Sequence, residues 1–482
     1  MPLARNILLI MTDQHRANTV SRLLGRRYLH TPALDRLAAE SVLFNRAYTP
    51  SPVCVPARNS IFTGLYPHQT RIECNRHHPR SSKPVGHVSD AFLPADIRGI
   101  GAYFGEAGYE TAYFGKWHIN MPKDGNDQHG FATTGVLELT GHDPEVAEEA
   151  ASFLKSPRSK PFFAVCSFSD PHDVCQYADG RPLPGGPLPD PPDLADLPPL
   201  PENMAPSRNE PEILRELREA YYQVHVEERN NSEEAQRKCR ELVWGYYRLV
   251  ERVDELIGRV IASLEEAGLA EDTLVVYTSD HGELLGAHGL VQKTFFYEEA
   301  TRVPLYMRLP RGFTGNATAP KPASGSSVSD ALVNVGVDLL PTLLDAVGLP
   351  ISAGLPGSSL LPHATSPGTA DEPEYVIGQV HFCSPKMSDE TLKTYGRMVR
   401  SRRFTYCLFD QGKDREVLFD SVVDPGETNN LSLDKSVASV LETHRSYLRR
   451  HAESTADTRA IQMLDAMQVG AAEAPPSGVI PP

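Results

Sequence analysis

Residues 54–58, Cys54-Val55-Pro56-Ala57-Arg58, put a reactive thiol and a fixed cation four positions apart, on one face of any helix that holds them. Pro56 suits the first helical position, where its missing N–H would be orphaned anyway. A helix starting here aims free backbone N–H groups and the positive end of its dipole at residue 54. That makes an anion cradle with a nucleophile at its mouth. By residue type alone, Cys54 reads equally as a small buried hydrophobe.

A second constellation offers metal chemistry. Asp13-Gln14 and Asp280-His281 each follow an apolar run. Two acids, an amide oxygen and an imidazole can hold a divalent cation. The oxygens favour Ca²⁺ or Mg²⁺, and the imidazole also admits Mn²⁺ or Zn²⁺. Taken singly, Asp13 also reads as a helix N-cap, and Asp280-His281-Gly282 as a polar turn. Lys116 and His118 follow Gly115 with one residue between them. In an extended segment both would face one anion. Pro171 stiffens the turn that presents His172, which alone could be a structural histidine. Lys293 alone reads as a surface lysine.

Four apolar runs with strand character, at 7–11, 110–114, 162–168 and 273–278, must position these groups. Helical patterns lie between them, the longest over about 232–267. Strands alternating with helices predict an α/β sandwich with a large, mostly parallel sheet. Each run ends directly in polar residues: Asp13-Gln14, Gly115-Lys116, Ser169 to Asp173, and Ser279 to Gly282. Ligands bind beyond the carboxyl ends of such strands, so topology alone converges four segments on one crevice.

Residues 182–211 hold eleven prolines and read as an extended surface loop or a semi-rigid lid over the crevice. A helix is expected over 337–347, with Pro341 in its first turn. Beyond residue 365, strand-like stretches at 375–380, 397–409 and 416–419 precede a helix over 436–451. They predict a smaller subdomain with an antiparallel sheet and a packed helix. The expected division is a catalytic domain over 1–365, a C-terminal subdomain over 366–460 and a mobile tail over 461–482.

The chain of 482 residues, 40% hydrophobic with a net charge of −15, is ordinary for a globular protein. That charge argues against nucleic acid as a partner, though not against a small anion in a local positive pocket. No apolar run is long enough for a membrane span or a secretory signal. As written the chain reads as cytoplasmic, or as periplasmic or secreted if a leader has been removed. Seven cysteines show no pairing framework and no zinc spacing.

Together these motifs resemble the formylglycine-dependent (type I) sulfatase family of the alkaline phosphatase superfamily. They run in order: Asp13, Cys54-x-Pro-x-Arg58, Gly115-Lys116-Trp117-His118, Pro171-His172, Ser279-Asp280-His281-Gly282, and Lys293 before Glu299-x-x-Arg302-Val-Pro304. Leu418-Phe-Asp420 and the stretch from Asp424 to Asn430 resemble the C-terminal signature. The resemblance implies an alkaline-phosphatase-like α/β sandwich. It also implies that Cys54 is oxidised to formylglycine (3-oxoalanine) by a maturing enzyme, oxygen-dependent or radical-based. The hydrated aldehyde would attack the sulfur of a sulfate ester, with Arg58 orienting it and Lys116 and Lys293 holding the sulfate. His172 would protonate the leaving alcohol, and His118 would take the proton that lets sulfate depart.

By the same resemblance the metal ligands are Asp13, Gln14, Cys54, Asp280 and His281, with Ca²⁺ expected first and Mn²⁺ or Mg²⁺ as alternatives. Gln14 stands where many members carry Asp, and His281 where many carry Asn. Both variants also resemble phosphonate monoester and phosphodiester hydrolases of the superfamily, while Lys116 and His118 favour sulfate. Asn75 and His78 are expected to line the substrate pocket. Arg76, Arg80 and Lys83 form a basic cluster suited to a sulfated saccharide, or a solvated loop. Arg397, Arg400, Arg402 and Arg403 are a second basic patch or structural. Choline sulfate and aryl sulfates are alternative substrates, a non-catalytic glycan-binding protein is an alternative role, and nothing excludes an oligomer.

Overall fold

The computed structural model describes residues 4–75, 92–124, 127–137, 140–220, 233–313, 327–366, 370–382 and 394–472. Twelve strands are described: β1 (Asn6–Asp13), β2 (Val42–Tyr48), β3 (Glu110–Gly115), β4 (Thr133–Thr134), β5 (Phe162–Pro171), β6 (Thr273–Ser279), β7 (Leu305–Arg308), β8 (Ser327–Asn334), β9 (Tyr375–Phe382), β10 (Thr394–Ser401), β11 (Phe404–Phe409) and β12 (Glu416–Asp420). The first eight form one sheet in the order β4-β3-β5-β1-β6-β7-β2-β8. β7 runs antiparallel to both its neighbours, and the other pairings are parallel.

The central strands are apolar on both faces because helices cover both. Along β1, Ile7, Leu9 and Met11 enter one core, while Leu8 and Ile10 enter the other. The first core receives Val55, Ile61 and Phe62 from the helix Cys54–Thr63, and Leu339, Leu340 and Leu343 from the helix Val335–Ala346. The second receives Val253, Ile257, Val260 and Leu264 from the long helix Glu233–Glu266. Their spacing of three and four residues is the stripe a helix needs to lie on a sheet. Pro341 lies in the interior of its helix rather than the first turn, because Asn334 caps an earlier start by accepting from the Gly336 N–H at 3.0 Å.

The second sheet is antiparallel, in the order β12-β11-β10-β9. One face carries Val380, Phe382, Met398 and Phe409 against Phe295 and Phe296, just past Lys293. The other carries Ile377, Val399, Tyr406 and Leu418 against the helices Ala438–Thr455 and Thr458–Ala472. The last helix corrects the expected tail from 461, since Met463 and Leu464 are buried against its neighbour.

Arg397 is buried in a two-pronged bond with Asp457 (2.7 and 3.1 Å) and an ion pair with Glu73 (2.9 Å), and Arg400 in bonds to Tyr48 and Glu298. These two arginines are structural. The Pro-rich segment is pinned down. Arg240 on the long helix donates to Pro198 O at 2.7 Å, Asn203 Nδ2 to Glu299 Oε1 at 2.8 Å, and Arg208 N to Thr428 O at 2.7 Å. Cys74 is disulfide-bonded, where the spacing of cysteines showed no pairing. Among the described residues no helix is long and apolar enough to cross a membrane.

Candidate active site

Four strands end abreast. Met11 pairs with Ser167 and Thr278, and Gly115 pairs with Ser167, so the polar residues beyond β1, β3, β5 and β6 meet above one line of the sheet. Gly115 makes the β3 turn with φ 103°, and a Cβ there would lie 2.0 Å from Ser167 O.

The helix Cys54–Thr63 is buried along its whole length and starts at Cys54 itself, so Pro56 is its third residue rather than its first. The proline is tolerated because first-turn N–H groups have no intrahelical partner. The orphaned Val55 N–H donates to Asn75 Oδ1 at 3.0 Å, and Asn75 Nδ2 lies 3.9 Å from Cys54 Sγ. Asn75 therefore caps this helix beside the thiol. His78, with Arg76, Arg80 and Lys83, lies outside the described residues.

Around Cys54 Sγ stand Lys293 Nζ at 3.2 Å, His281 Nε2 at 3.3 Å and Asp13 Oδ1 at 3.9 Å. Burial and Asp13 raise the thiol, but Lys293, His281 and Lys116 outweigh them and bring its pKa down to about 7. Arg58, fully buried, donates through Nε to Asp280 Oδ2 at 2.8 Å, through Nη2 to Asp13 Oδ2 at 3.3 Å, and through Nη1 to Ser167 Oγ at 2.7 Å and Lys116 O at 3.0 Å. Lys116 Nζ lies 2.6 Å from Asp13 Oδ2. Burial raises the Asp13 carboxyl, but Lys116, His172, Lys293 and Arg58 hold it well below the usual carboxylate range.

Lys293 is buried rather than on the surface, and donates to Gln14 Oε1. Glu283 orients that amide by accepting from Gln14 Nε2, while its other oxygen accepts from the backbone N–H groups of Leu285 and Gln292. His118 is buried two residues past Lys116, but with φ 49°, so this segment turns rather than extending as expected. Asn120 exchanges two 3.0 Å bonds with Asn59, stitching the Lys116–His118 segment to the Cys54 helix. His172 is partly buried. Burial, then Lys116 and Lys293, hold its imidazole well below the ordinary range, against a smaller opposing pull from Asp13. Glu283, Ser167, Asn59 and Asn120 were not picked out from the sequence. Of these, Glu283 alone carried a signal, two residues past His281.

Asp13, Cys54, Asp280 and His281 bring one ligand atom each to within 4.8 Å of one another. His281 Nδ1 bonds Gly282 O at 2.9 Å, which leaves Nε2 for the cluster. Two carboxylates, one imidazole and the Gln14 oxygen fit a divalent cation.

A family model described as Sulfatase matches residues 5–349. The chain belongs to the sulfatase family. A second model, N-sulphoglucosamine sulphohydrolase, C-terminal, matches residues 286–454 of this sulfatase. It is 29% identical over 463 residues to the Delta 4,5-hexuronate-2-O-sulfatase of Bacteroides thetaiotaomicron, covering 92% of this chain and 88% of that one. It is also 29% identical to the ulvan-active sulfatase of Formosa agariphila, covering 89% and 77%. A solved structure of a 2-O glycosaminoglycan sulfatase superposes with a TM-score of 0.76 at 26% identity, over 94% of this chain and 93% of that one. The sulfatase is thus a sulfuric ester hydrolase built on the α/β sandwich that its sequence predicts, and the family uses a divalent metal and a formylglycine.

Proposed function

We propose that this sulfatase hydrolyses a sulfate ester of a carbohydrate, with residue 54 acting as formylglycine and Ca²⁺ held by Asp13, Gln14, Asp280 and His281. One observation carries the reading: Cys54 sits at a buried helix start, within 4 Å of Lys293, His281 and Asp13. The relatives' activities on hexuronate and ulvan sulfates support a saccharide as substrate.

A bound divalent cation supplies Lewis-acid stabilisation of charge on the sulfate oxygens. Formylglycine supplies a hydrated aldehyde, one hydroxyl to attack sulfur and a second whose deprotonation lets sulfate depart. The chain's own residues do the rest. Arg58 orients residue 54 and locks both carboxylates. Lys116 and Lys293 grip sulfate oxygens in a dry site, where such contacts are strong. His118 takes the proton that releases sulfate.

His172 gives a proton to the leaving alcohol. Lys116 and Lys293 oppose its charging, and an anionic ester seated between them and the imidazole reverses that balance. The disulfide at Cys74 supports an oxidising compartment.

The test is inorganic sulfate release by enzyme coexpressed with a maturing enzyme, on a panel with Cys54→Ala as control. The panel holds a 2-O-sulfated unsaturated uronate disaccharide, 6-O-sulfated N-acetylglucosamine, choline sulfate, 4-nitrophenyl sulfate and a phenyl phosphonate ester. Release is expected from a saccharide. A dominant rate on the phosphonate, or release confined to choline or aryl sulfate, overturns the reading.

A further inference from the structure

Three buried carboxylates crowd the turn that presents His172. Asp143, Asp170 and Asp173 are 7%, 3% and 2% exposed. Asp143 shapes the turn, its two oxygens accepting the Ser169 N–H at 2.7 Å and the Asp170 N–H at 2.8 Å. The His172 N–H closes it on Ser169 O at 3.0 Å. Burial and then mutual repulsion raise Asp170 well above the carboxylate range, and raise Asp173 to about 6.

Two cations temper this crowd. Lys116 belongs to the sulfate site. Arg252 reaches in from the long helix, its Nε 2.9 Å from Asp170 Oδ2. The same guanidinium touches the Pro-rich segment. Its Nη1 donates to Gly186 O at 3.2 Å, and a Cβ on Gly185 would come within 2.6 Å of that nitrogen. The segment then runs along the long helix to its anchor at Pro198 and on to the C-terminal subdomain at Thr428.

We propose that Arg252 is the positioning residue for His172: it clamps Asp170 and the Pro-rich segment together, so that the imidazole stands over the leaving-group oxygen. The inference rests on the reading of His172 as the leaving-group acid. Without the guanidinium, three neighbouring carboxylates lose the cation that lies outside the sulfate site, and the turn opens. A misplacement of about 1 Å in a catalytic group lowers rate by roughly a hundredfold. Arg252 meets none of the sulfate-binding groups directly, so substrate affinity is spared.

The experiment is a double-mutant cycle on the panel saccharide that the parent enzyme hydrolyses fastest, using His172→Ala, Arg252→Gln and the double variant. Arg252→Gln is expected to lower kcat about ten- to hundredfold with KM nearly unchanged. Added to His172→Ala it is expected to change kcat by less than about twofold, because its target is already gone. Arg252→Lys keeps the charge beside Asp170, but its single nitrogen cannot also hold Gly186 O, so it is expected to recover only part of the rate. If the losses multiply, or if KM rises in step with the loss, Arg252 is merely structural and the proposal falls. If His172→Ala itself retains the parent rate, the acid assignment falls first and the proposal with it. If Arg252→Gln gives no cooperative thermal transition, the cycle with Arg252→Lys decides by the same criterion.

Discussion

Replacing Glu283 by Gln tests which end of the Gln14 amide faces the cation cluster. Glu283 is buried and committed on three sides. One oxygen accepts the backbone N–H groups of Leu285 and Gln292, and the other accepts Gln14 Nε2. In Glu283→Gln the amide oxygen must stay with the two backbone donors, so the new NH₂ confronts Gln14 Nε2. Two donors cannot bond. Either that bond is lost, or Gln14 reverses and shows its own NH₂ to Lys293 Nζ, the present donor to its oxygen. Both outcomes remove about one charge-assisted hydrogen bond, worth roughly 1.5–3 kcal/mol. At 1.36 kcal/mol per decade, that weakens Ca²⁺ binding about ten- to hundredfold, the usual effect of losing an outer-shell partner. Calorimetric titration of Ca²⁺ into chelator-stripped protein reads it directly. Adding Gln14→Glu to the variant should restore affinity, because a carboxylate has no donor end to misdirect. Unchanged affinity in Glu283→Gln would refute the reasoning. So would a loss that Gln14→Glu leaves in place.

Cys54→Ala should abolish sulfate release from every panel member while thermal unfolding stays within a few degrees of the parent, and comparable turnover would remove Cys54 from the mechanism. The fold should weaken in mild acid. Burial holds His451 neutral down to about 3 and His288 down to about 4, against 6.5 in the unfolded chain. The unfolded state therefore binds more protons below 6.5, so stability is full above that pH and falls as the pH drops toward 3–4. At pH 5 the loss is about 2 kcal/mol for each imidazole, measured by urea unfolding at pH 7 and 5, and equal midpoints would contradict it. Arg397→Met takes the guanidinium from the buried Asp457 carboxylate and should destabilise by about 3–5 kcal/mol in the same assay. A change below 1 kcal/mol would show the pair to be dispensable.

The four strands that carry the site were legible because burial on both faces makes them largely apolar. β2, β7 and β8 were not. β2 carries Asn45 and Arg46, β7 is four residues long, and β8 opens with exposed or polar residues. The site residues on strand ends could be read because topology forces those ends together. Lys293 could be placed only by family resemblance. Its loop is fixed by Phe295 and Phe296 packing on the C-terminal sheet, a contact between segments about a hundred residues apart. Asn59 and Asn120 escaped notice for the same reason, since each amide is meaningful only opposite the other.

Arg58 shows why fold and site cannot be specified separately here. Its guanidinium bonds the carboxylate ending β1, the carbonyl following β3, a hydroxyl within β5 and the carboxylate following β6. One planar group with five donors thus checks the register of four strands at once. A lysine has a single nitrogen and cannot span those four acceptors. A slip of one residue in any strand would turn its end away and leave a buried charge or donor without its partner. The four-residue spacing from Cys54 to Arg58 then carries that register along one helix face to residue 54. The same guanidinium that joins the sheet to the helix also fixes where residue 54 meets Asp13, Asp280 and His281.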